Sequence, residues 1–308
     1  MSPAPVRVAF AGTNWWSAQA LERLAGAPGL EIAHVISQPD RPAGRGRKTA
    51  APPVAVTARE LGLELSQPER PGEALPRLQR EGVQAVAVVA YGELVPRSLL
   101  DALPFVNLHP SALPHWRGAA PIERALMAGE REGAVAAMLL VEALDAGPVA
   151  ALERFAVGED DDAGVVYARA LELGLEPLAR ALQDASRGRL ATVPQVGEAS
   201  YAAKITAADR LLDPGRPARE LHDRVRALSP HIGGRLPLDG APHTIWRTRV
   251  VPAGPATGIL ERDGESVLLG CGEGALEILE LQAPGGRRMP AADWLRGLRG
   301  ALPAATDA

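Results

Sequence analysis

The chain has 308 residues, and at about 100–200 residues per domain this length predicts two domains. Hydrophobic residues make up 46% and charged residues 23%, which excludes a disordered chain. The single cysteine, Cys271, excludes an internal disulfide and a cysteine-based zinc site. Because the net charge is −4, nucleic acid would have to be bound through a local basic patch.

Membrane and export signals are missing from the sequence. The longest apolar runs, such as 85–90, are far shorter than the roughly 18–20 residues of a membrane helix. Residues 1–11 lack the charged and apolar regions of a secretory signal. The sequence therefore predicts a cytoplasmic protein that does not cross a membrane.

The first half of the chain alternates apolar, strand-like runs with amphipathic helical patterns. The predicted strands lie at 6–11, 30–37, 84–90, 105–109, 135–141 and 148–157. The predicted helices lie at 17–27, 54–61, 72–81 and 163–187. Strands without polar alternation are buried on both faces, so this half predicts an α/β domain with a Rossmann-like, mostly parallel sheet.

Beyond residue 190 the pattern changes. Residues 190–205 lack a clear period and predict a linker. A helix is predicted at 219–228, and strands with glycine-containing turns are predicted at 244–251, 257–261, 266–269 and 275–281. We therefore expect an α/β domain over 1–189, a linker over 190–205 and a smaller antiparallel β-barrel domain over 206–308.

The first strand-to-helix turn does not match a nucleotide-binding motif. It reads Gly-Thr-Asn-Trp-Trp-Ser over 12–17, where a dinucleotide-binding fold has G-x-G-x-x-G. Trp15 and Trp16 fill the space that a pyrophosphate would need, and the P-loop and G-x-S-x-G motifs are also missing. The two rings either line a substrate cleft or fill the space between helix and sheet.

Asn107 and His109 project from one face at the carboxyl end of a predicted strand, where open parallel sheets bind ligands. An amide beside an imidazole suits acyl chemistry, because the amide stabilises an oxyanion and the imidazole donates a hydrogen bond or moves a proton. The alternative is ordinary polar bonding at a strand end. Asp145 lies in a predicted turn; it is either a turn former or, if it meets His109 in space, part of a site.

Four linked motifs resemble the signature shared by the enzymes that use 10-formyltetrahydrofolate, and the whole chain resembles one branch of that class, the methionyl-tRNA formyltransferases. The motifs are Asn107-Leu108-His109, Ser111-Ala112-Leu113-Pro114, Arg117-Gly118-Ala119-Ala120-Pro121 and Leu144-Asp145-Ala146-Gly147. The resemblance implies a catalytic triad of Asn107, His109 and Asp145, with no metal. It also implies that folate is held by Ser111, Ala112, Leu113 and Pro114, beside a pteridine pocket formed by Val89, Ala90, Tyr91 and Gly92.

Residues 37–48 resemble an insertion that the tRNA-acting branch carries and that contacts the acceptor stem. Four basic residues against Asp40 give this segment a local charge of +3, and they are Arg41, Arg45, Arg47 and Lys48. Such a patch can neutralise phosphates, and its prolines and glycines favour a loop. The alternative is a solvated basic loop. The C-terminal half resembles the branch's OB-like barrel domain, which implies a further tRNA contact.

The resemblance implies a monomeric enzyme of translation initiation that transfers a formyl group from 10-formyltetrahydrofolate to initiator methionyl-tRNA. The alternatives are a folate-dependent formyltransferase acting on an amino sugar or another small amine, and a catalytically inactive tRNA-binding relative. The family usually has Gly-Thr-Pro, an acid and Phe after the first strand, whereas this chain has Asn14, Trp15 and Trp16. We expect at least one of the two indole rings to reach the cleft.

Overall fold

The computed structural model describes residues 4–43, 48–298 and 300–305. The chain forms two compact units. One comprises Met1–Ala119, Ala134–Phe155 and Tyr167–Ala202, and the other comprises Ala120–Gly133, Ala156–Val166 and Ala203–Ala308. The domain boundaries at 189 and 206 stay a prediction, because contact units need not coincide with domains.

The elements are numbered in chain order. The strands are β1 Val6–Gly12, β2 Leu30–Ile36, β3 Arg41–Ala43, β4 Lys48–Ala50, β5 Leu65–Ser66, β6 Ala85–Val89, β7 Phe105–His109, β8 Arg117–Gly118, β9 Glu132–Leu139, β10 Val149–Ala156, β11 Tyr201–Ala202, β12 Gly234–Leu238, β13 Ala241–Val251, β14 Leu260–Asp263, β15 Ser266–Gly270, β16 Ala275–Gln282 and β17 Met289–Pro290. The α-helices are α1 Trp15–Ala25, α2 Pro53–Glu60, α3 Leu75–Arg80, α4 Arg97–Leu100, α5 Pro121–Met127, α6 Ala163–Ser186, α7 Ala218–Leu228 and α8 Ala291–Gly297.

The first unit contains a sheet in the order β10-β9-β7-β6-β1-β2-β5. The strands from β7 to β5 are parallel to their neighbours, and β9 is antiparallel to β7. Every residue of β6 is buried, which explains its unbroken apolar sequence. The predicted, mostly parallel α/β sheet is confirmed. Since β1, β6 and β7 are parallel neighbours, Gly12, Val89 and His109 end at the same edge of the sheet.

The turn after β1 explains an error in the predicted helix. The helix begins at Trp15 rather than at 17, because the Asn14 side chain caps it by accepting a hydrogen bond from Ser17 N at 3.0 Å. Gly12 is required before this turn, since a Cβ there would lie 1.7 Å from the Ser17 hydroxyl oxygen. The two tryptophans therefore belong to the first turn of α1.

Two other predictions need correction. The helix predicted at 72–81 is a 3-10 turn, Pro71–Ala74, followed by α3, which includes a proline. Part of the basic segment predicted as a loop forms β3, which pairs antiparallel with β4, with Arg41 opposite Ala50. The extended backbone that proline favours is compatible with short edge strands, so proline here did not prevent pairing.

The second unit contains an antiparallel sheet in the order β12-β13-β16-β15-β14, with β17 added to β16. Its core includes Leu221, Val225, Ile245, Ile278 and Trp294, contributed by α7, by the sheet and by α8. The predicted smaller antiparallel domain is confirmed. A closed barrel would pair the two edge strands, β12 and β14. Among the described residues these strands do not pair, so the sheet is open. No helix in the described ranges is long and apolar enough to span a bilayer.

Candidate active site

The carboxyl end of β7 carries two buried polar side chains, Asn107 and His109, which are 8% and 4% exposed. Asn107 pairs with Val88 on β6 and with Met138 on β9. Asn107 therefore lies on a central strand of the sheet, at the end where parallel strands bind ligands. A side-chain amide there can donate a hydrogen bond to a ligand oxygen.

Both ring nitrogens of His109 face oxygen atoms. Its Nε2 lies 2.9 Å from the Trp116 carbonyl oxygen, and its Nδ1 lies 3.7 Å from Oδ2 of Asp145. A carbonyl only accepts hydrogen bonds, so Nε2 carries a hydrogen. Nδ1 therefore either carries a second hydrogen, as an imidazolium directed at a carboxylate, or presents its lone pair.

Asp145 lies in the turn between β9 and β10 and is 8% exposed. Its Oδ2 accepts a hydrogen bond from the backbone N–H of Gly118 at 2.8 Å. Gly118 has φ +120°, and a Cβ there would lie 2.7 Å from the Ala202 carbonyl oxygen, so only glycine fits. The motifs containing His109, Gly118 and Asp145 thus meet in space.

The segment after His109 returns close to the strand end. Ser111 N donates to the His109 carbonyl at 2.9 Å, and Ser111 Oγ donates to the His115 carbonyl at 2.6 Å. Leu113 is buried against Ala136 and Met138. Pro114 is also buried and Ala112 is half-buried. Leu113 therefore anchors this segment against β9, the neighbour of β7 in the sheet.

The loop after β6 lies at the same edge of the sheet and is tied to its neighbours. The Tyr91 carbonyl accepts hydrogen bonds from Thr13 Oγ1 at 2.6 Å and from Gln38 Nε2 at 3.0 Å. Ala90 and Gly92 have positive φ values of +44° and +81°. Burial, with a smaller contribution from Glu93, raises the pKa of Tyr91 to about 12, so the phenol is neutral at physiological pH.

The tryptophans have different environments. Trp16 is 2% exposed, and its indole N–H donates to the Tyr167 carbonyl at 3.0 Å. Trp15 is half-buried, with its ring edge-on to the Tyr167 ring at 5.3 Å. Trp16 therefore belongs to the core, and the expectation of a ring at the cleft concerns Trp15.

The basic hairpin, residues 41–50, presents one described arginine to solvent. The Arg41 side chain is 67% exposed, with Nη2 3.6 Å from Glu93 Oε1. Arg45, Arg47 and the side chain of Lys48 lie outside the described residues. Asp40, at the base of the hairpin, accepts a hydrogen bond from Gln67 at 2.6 Å.

Sequence reasoning missed the contribution of residues 190–202. This segment belongs to the first unit, and β11 pairs in parallel with β8. The Ser200 hydroxyl oxygen accepts from Trp116 N, and the Ser200 carbonyl accepts from Arg117 N, each at 2.9 Å. The segment has no hydrophobic period, so its sequence carries no signal of these contacts. The described residues contain no group of three or more His, Cys, Asp or Glu side chains suited to a metal ion.

Comparison with known proteins identifies the family. Residues 6–182 match the family model described as Formyl transferase, and residues 204–299 match Formyl transferase, C-terminal domain. The chain is 47% identical to methionyl-tRNA formyltransferase of Rubrobacter xylanophilus, over 96% of this chain and 99% of the relative. It is 41% identical to that of Paraburkholderia phymatum, over 95% and 94%.

Solved structures share the fold at low sequence identity. HypX from Aquifex aeolicus superimposes with a TM-score of 0.68 and 19% identity, covering 96% of this chain, which spans about half (49%) of that chain. An N-formyltransferase from Helicobacter canadensis, solved with folinic acid and dTDP-3-aminofucose, gives a TM-score of 0.63 at 16% identity, covering 92% of this chain and 100% of that chain. With both family models matched and relatives this similar along nearly the whole length, the chain belongs to the methionyl-tRNA formyltransferase family.

Proposed function

We propose that the chain transfers the formyl group of 10-formyltetrahydrofolate to the α-amine of initiator methionyl-tRNA, giving formylmethionyl-tRNA for translation initiation. The observation that carries this proposal is the approach of Asp145 to His109 at the carboxyl edge of a parallel sheet, with Asn107 two residues before His109 on the same strand. The family membership supports it independently.

The proposed reaction is acyl transfer through a tetrahedral intermediate. The neutral amine nitrogen of the methionyl group bonds to the formyl carbon, and the bond from that carbon to N10 of the folate then breaks. The amine loses a proton, and the folate nitrogen gains one. The Asn107 amide donates a hydrogen bond to the oxyanion and His109 stabilises its negative charge, because polar groups preorganised around a developing charge lower the barrier. Asp145 orients His109 and accepts the amine proton, directly or through a water.

The folate is a co-substrate, and the proposed reaction needs no metal. Ser111, Ala112, Leu113 and Pro114 would hold it, with Val89, Ala90, Tyr91 and Gly92 beside the pteridine. Ala90 and Ala112 are half-buried and Gly92 is exposed, so they can offer apolar surface to the ring, and the surrounding backbone supplies polar groups. This combination fits a flat heteroaromatic ring.

The tRNA would be held by its phosphates. Arg41, with Arg45, Arg47 and Lys48, would contact the acceptor stem, and the 206–308 domain would add further contacts. Such contacts position the nucleic acid without reading its sequence. We propose that the chain works as a cytoplasmic monomer.

Substrate choice between methionyl-tRNA and an amino sugar tests the proposal. The purified chain is incubated with 10-formyltetrahydrofolate and either methionyl-tRNA or dTDP-3-aminofucose, and kcat/KM is measured for both. We expect methionyl-tRNA to be preferred by orders of magnitude. Preference for the sugar would contradict the proposal, and tRNA binding without turnover on either amine would indicate an inactive relative.

A further inference from the structure

The side-chain amide of Gln195 bridges two of the motifs that form the candidate site. Its Nε2 donates to the carbonyl oxygens of Asp145 and Gly147, each at 2.8 Å. Its Oε1 accepts from Nε and Nη2 of Arg117, at 3.1 and 2.7 Å. The carbonyls can only accept and the guanidinium can only donate, so this orientation of the amide is the one that satisfies all four bonds.

The turn held by Gln195 has an unfavourable backbone. Asp145 has φ +47°, a left-handed conformation that is uncommon for a residue other than glycine. Gly147 is packed so tightly that a Cβ there would lie 1.7 Å from the Leu139 carbonyl oxygen. Strained backbone persists where surrounding contacts hold it, and two of those contacts come from Gln195.

The segment that carries Gln195 is fixed on both sides. Val193 exchanges two backbone hydrogen bonds with Val149, both at 2.8 Å. Further along, the Ser200 carbonyl accepts from Arg117 N at 2.9 Å. The backbone on both sides of Gln195 is therefore held in place, so its side-chain amide can restrain the turn that contains Asp145.

We propose that Gln195 is a positioning residue that sets the Asp145 carboxylate relative to His109. The inference rests on the proposed role of Asp145 in formyl transfer. Without the two bonds from Nε2, the turn relaxes and Oδ2 moves from its place 3.7 Å from Nδ1 of His109. A misplacement of about 1 Å in a catalytic group costs up to about 100-fold in rate.

Three substitutions at Gln195 test the proposal. Gln195→Ala removes all four hydrogen bonds. Gln195→Met keeps the length of the side chain but lacks the amide that makes these hydrogen bonds. Gln195→Glu keeps the acceptor for Arg117 but replaces the Nε2 donor with a carboxylate oxygen. That oxygen faces the carbonyl oxygens of Asp145 and Gly147, which it repels. Val196→Ala is the matched control, since Val196 is on the same segment and is 84% exposed.

The expected signature is a loss of kcat with little change in KM. Each Gln195 variant should lose about 10- to 100-fold in kcat, while KM for methionyl-tRNA and for the folate stay close to wild type and Val196→Ala behaves as wild type. A purely structural role would lower Tm and leave kcat unchanged in the folded fraction. That result, or unchanged kcat in all three variants, would overturn the proposal.

A double-mutant cycle with Asp145→Asn asks whether Gln195 acts through Asp145. Single-turnover formylation with enzyme in excess is measured for wild type, both single variants and the double variant. If the role is positioning, Gln195→Ala has almost no effect in the Asp145→Asn background. An equal loss in both backgrounds would overturn the inference alone. A wild-type rate for Asp145→Asn would overturn the proposed role of Asp145 as well.

Discussion

Nδ1 of His109 lies 3.7 Å from Oδ2 of Asp145, while the same carboxylate oxygen accepts the Gly118 N–H at 2.8 Å. The shorter bond goes to the backbone, so Gly118 fixes the carboxylate in front of the imidazole. His109 is held from its other side by the Trp116 carbonyl. These two contacts, one at each ring nitrogen, orient the imidazole.

The first prediction concerns Asn107. Asn107→Ala should lower kcat by about 100- to 1,000-fold, the usual effect of losing one oxyanion donor. Asn107→Asp should also be impaired, because a carboxylate cannot donate. Steady-state kinetics with methionyl-tRNA measures both variants, and near-normal turnover in Asn107→Ala would remove the oxyanion role.

The second prediction concerns the basic hairpin. The double variant Arg41→Ala, Arg45→Ala should raise KM for methionyl-tRNA and flatten its salt dependence, as each lost phosphate contact lowers the log–log slope by about one unit. KM for the folate should be unchanged. The measurement is KM for each substrate over a series of salt concentrations.

An exposed arginine elsewhere controls for the change in net charge. Arg70 is 88% exposed, and Arg70→Ala should leave the salt slope as in wild type. An equal flattening in Arg70→Ala would show a general charge effect. An unchanged slope in the hairpin variant would make the hairpin an ordinary solvated segment.

The third prediction separates the two tryptophans. Trp16→Ala should lower the free energy of unfolding by about 3–5 kcal/mol, because a buried ring and its hydrogen bond to Tyr167 are removed. Trp15→Ala should fold with a stability much closer to wild type and raise KM for methionyl-tRNA. Chemical denaturation and kinetics on both variants make the comparison. An unchanged KM for Trp15→Ala would end the proposed role of this position in recognising the substrate.

The fourth prediction is a pH dependence in the second unit. Two bonds from the Arg124 guanidinium hold the pKa of the Asp209 carboxyl well below its ordinary value of 3.8. The folded pKa is lower than the unfolded one, so the pair stabilises the fold above pH 4, and the contribution is lost as pH falls toward the folded pKa. Asp209→Asn should therefore lower the free energy of unfolding by about 1 kcal/mol at pH 7, and by less at pH 3.

Denaturant unfolding at several pH values tests this dependence. Asp101→Asn is a suitable control, since Asp101 is 67% exposed and makes one longer bond, 3.4 Å, to Arg97. At pH 7, Asp101→Asn should change the free energy of unfolding by less than Asp209→Asn does. If Asp209→Asn lowered the free energy of unfolding by the same amount at pH 3 as at pH 7, that result would contradict the predicted pH dependence.

Elements with a strong local pattern could be predicted from the sequence. The prediction of a strand over 105–109 is confirmed, since β7 has the same bounds. The spacing of Asn107 and His109 also follows from the two-residue period of a strand. The start of α1 was missed because Asn14 acts as a cap, while the adjacent tryptophans suggested a turn.

Contacts between distant segments could not be predicted in this way. Nothing local in the sequence brings Asp145 to His109 or Gln195 to Arg117, since both meetings depend on how loops cross above the sheet. The pairing of β3 with β4 could not be predicted either, because the prolines and glycines of that segment favour a loop when considered alone.

The most direct test of the account is formyl transfer from labelled 10-formyltetrahydrofolate, comparing the wild-type chain with His109→Ala. Mass spectrometry of the methionyl ester released from tRNA identifies the acceptor atom. We predict a formyl group on the α-amine with wild type, and a rate lower by orders of magnitude with folded His109→Ala. Absence of label on the amine with wild type, or an undiminished rate in the variant, would contradict the account.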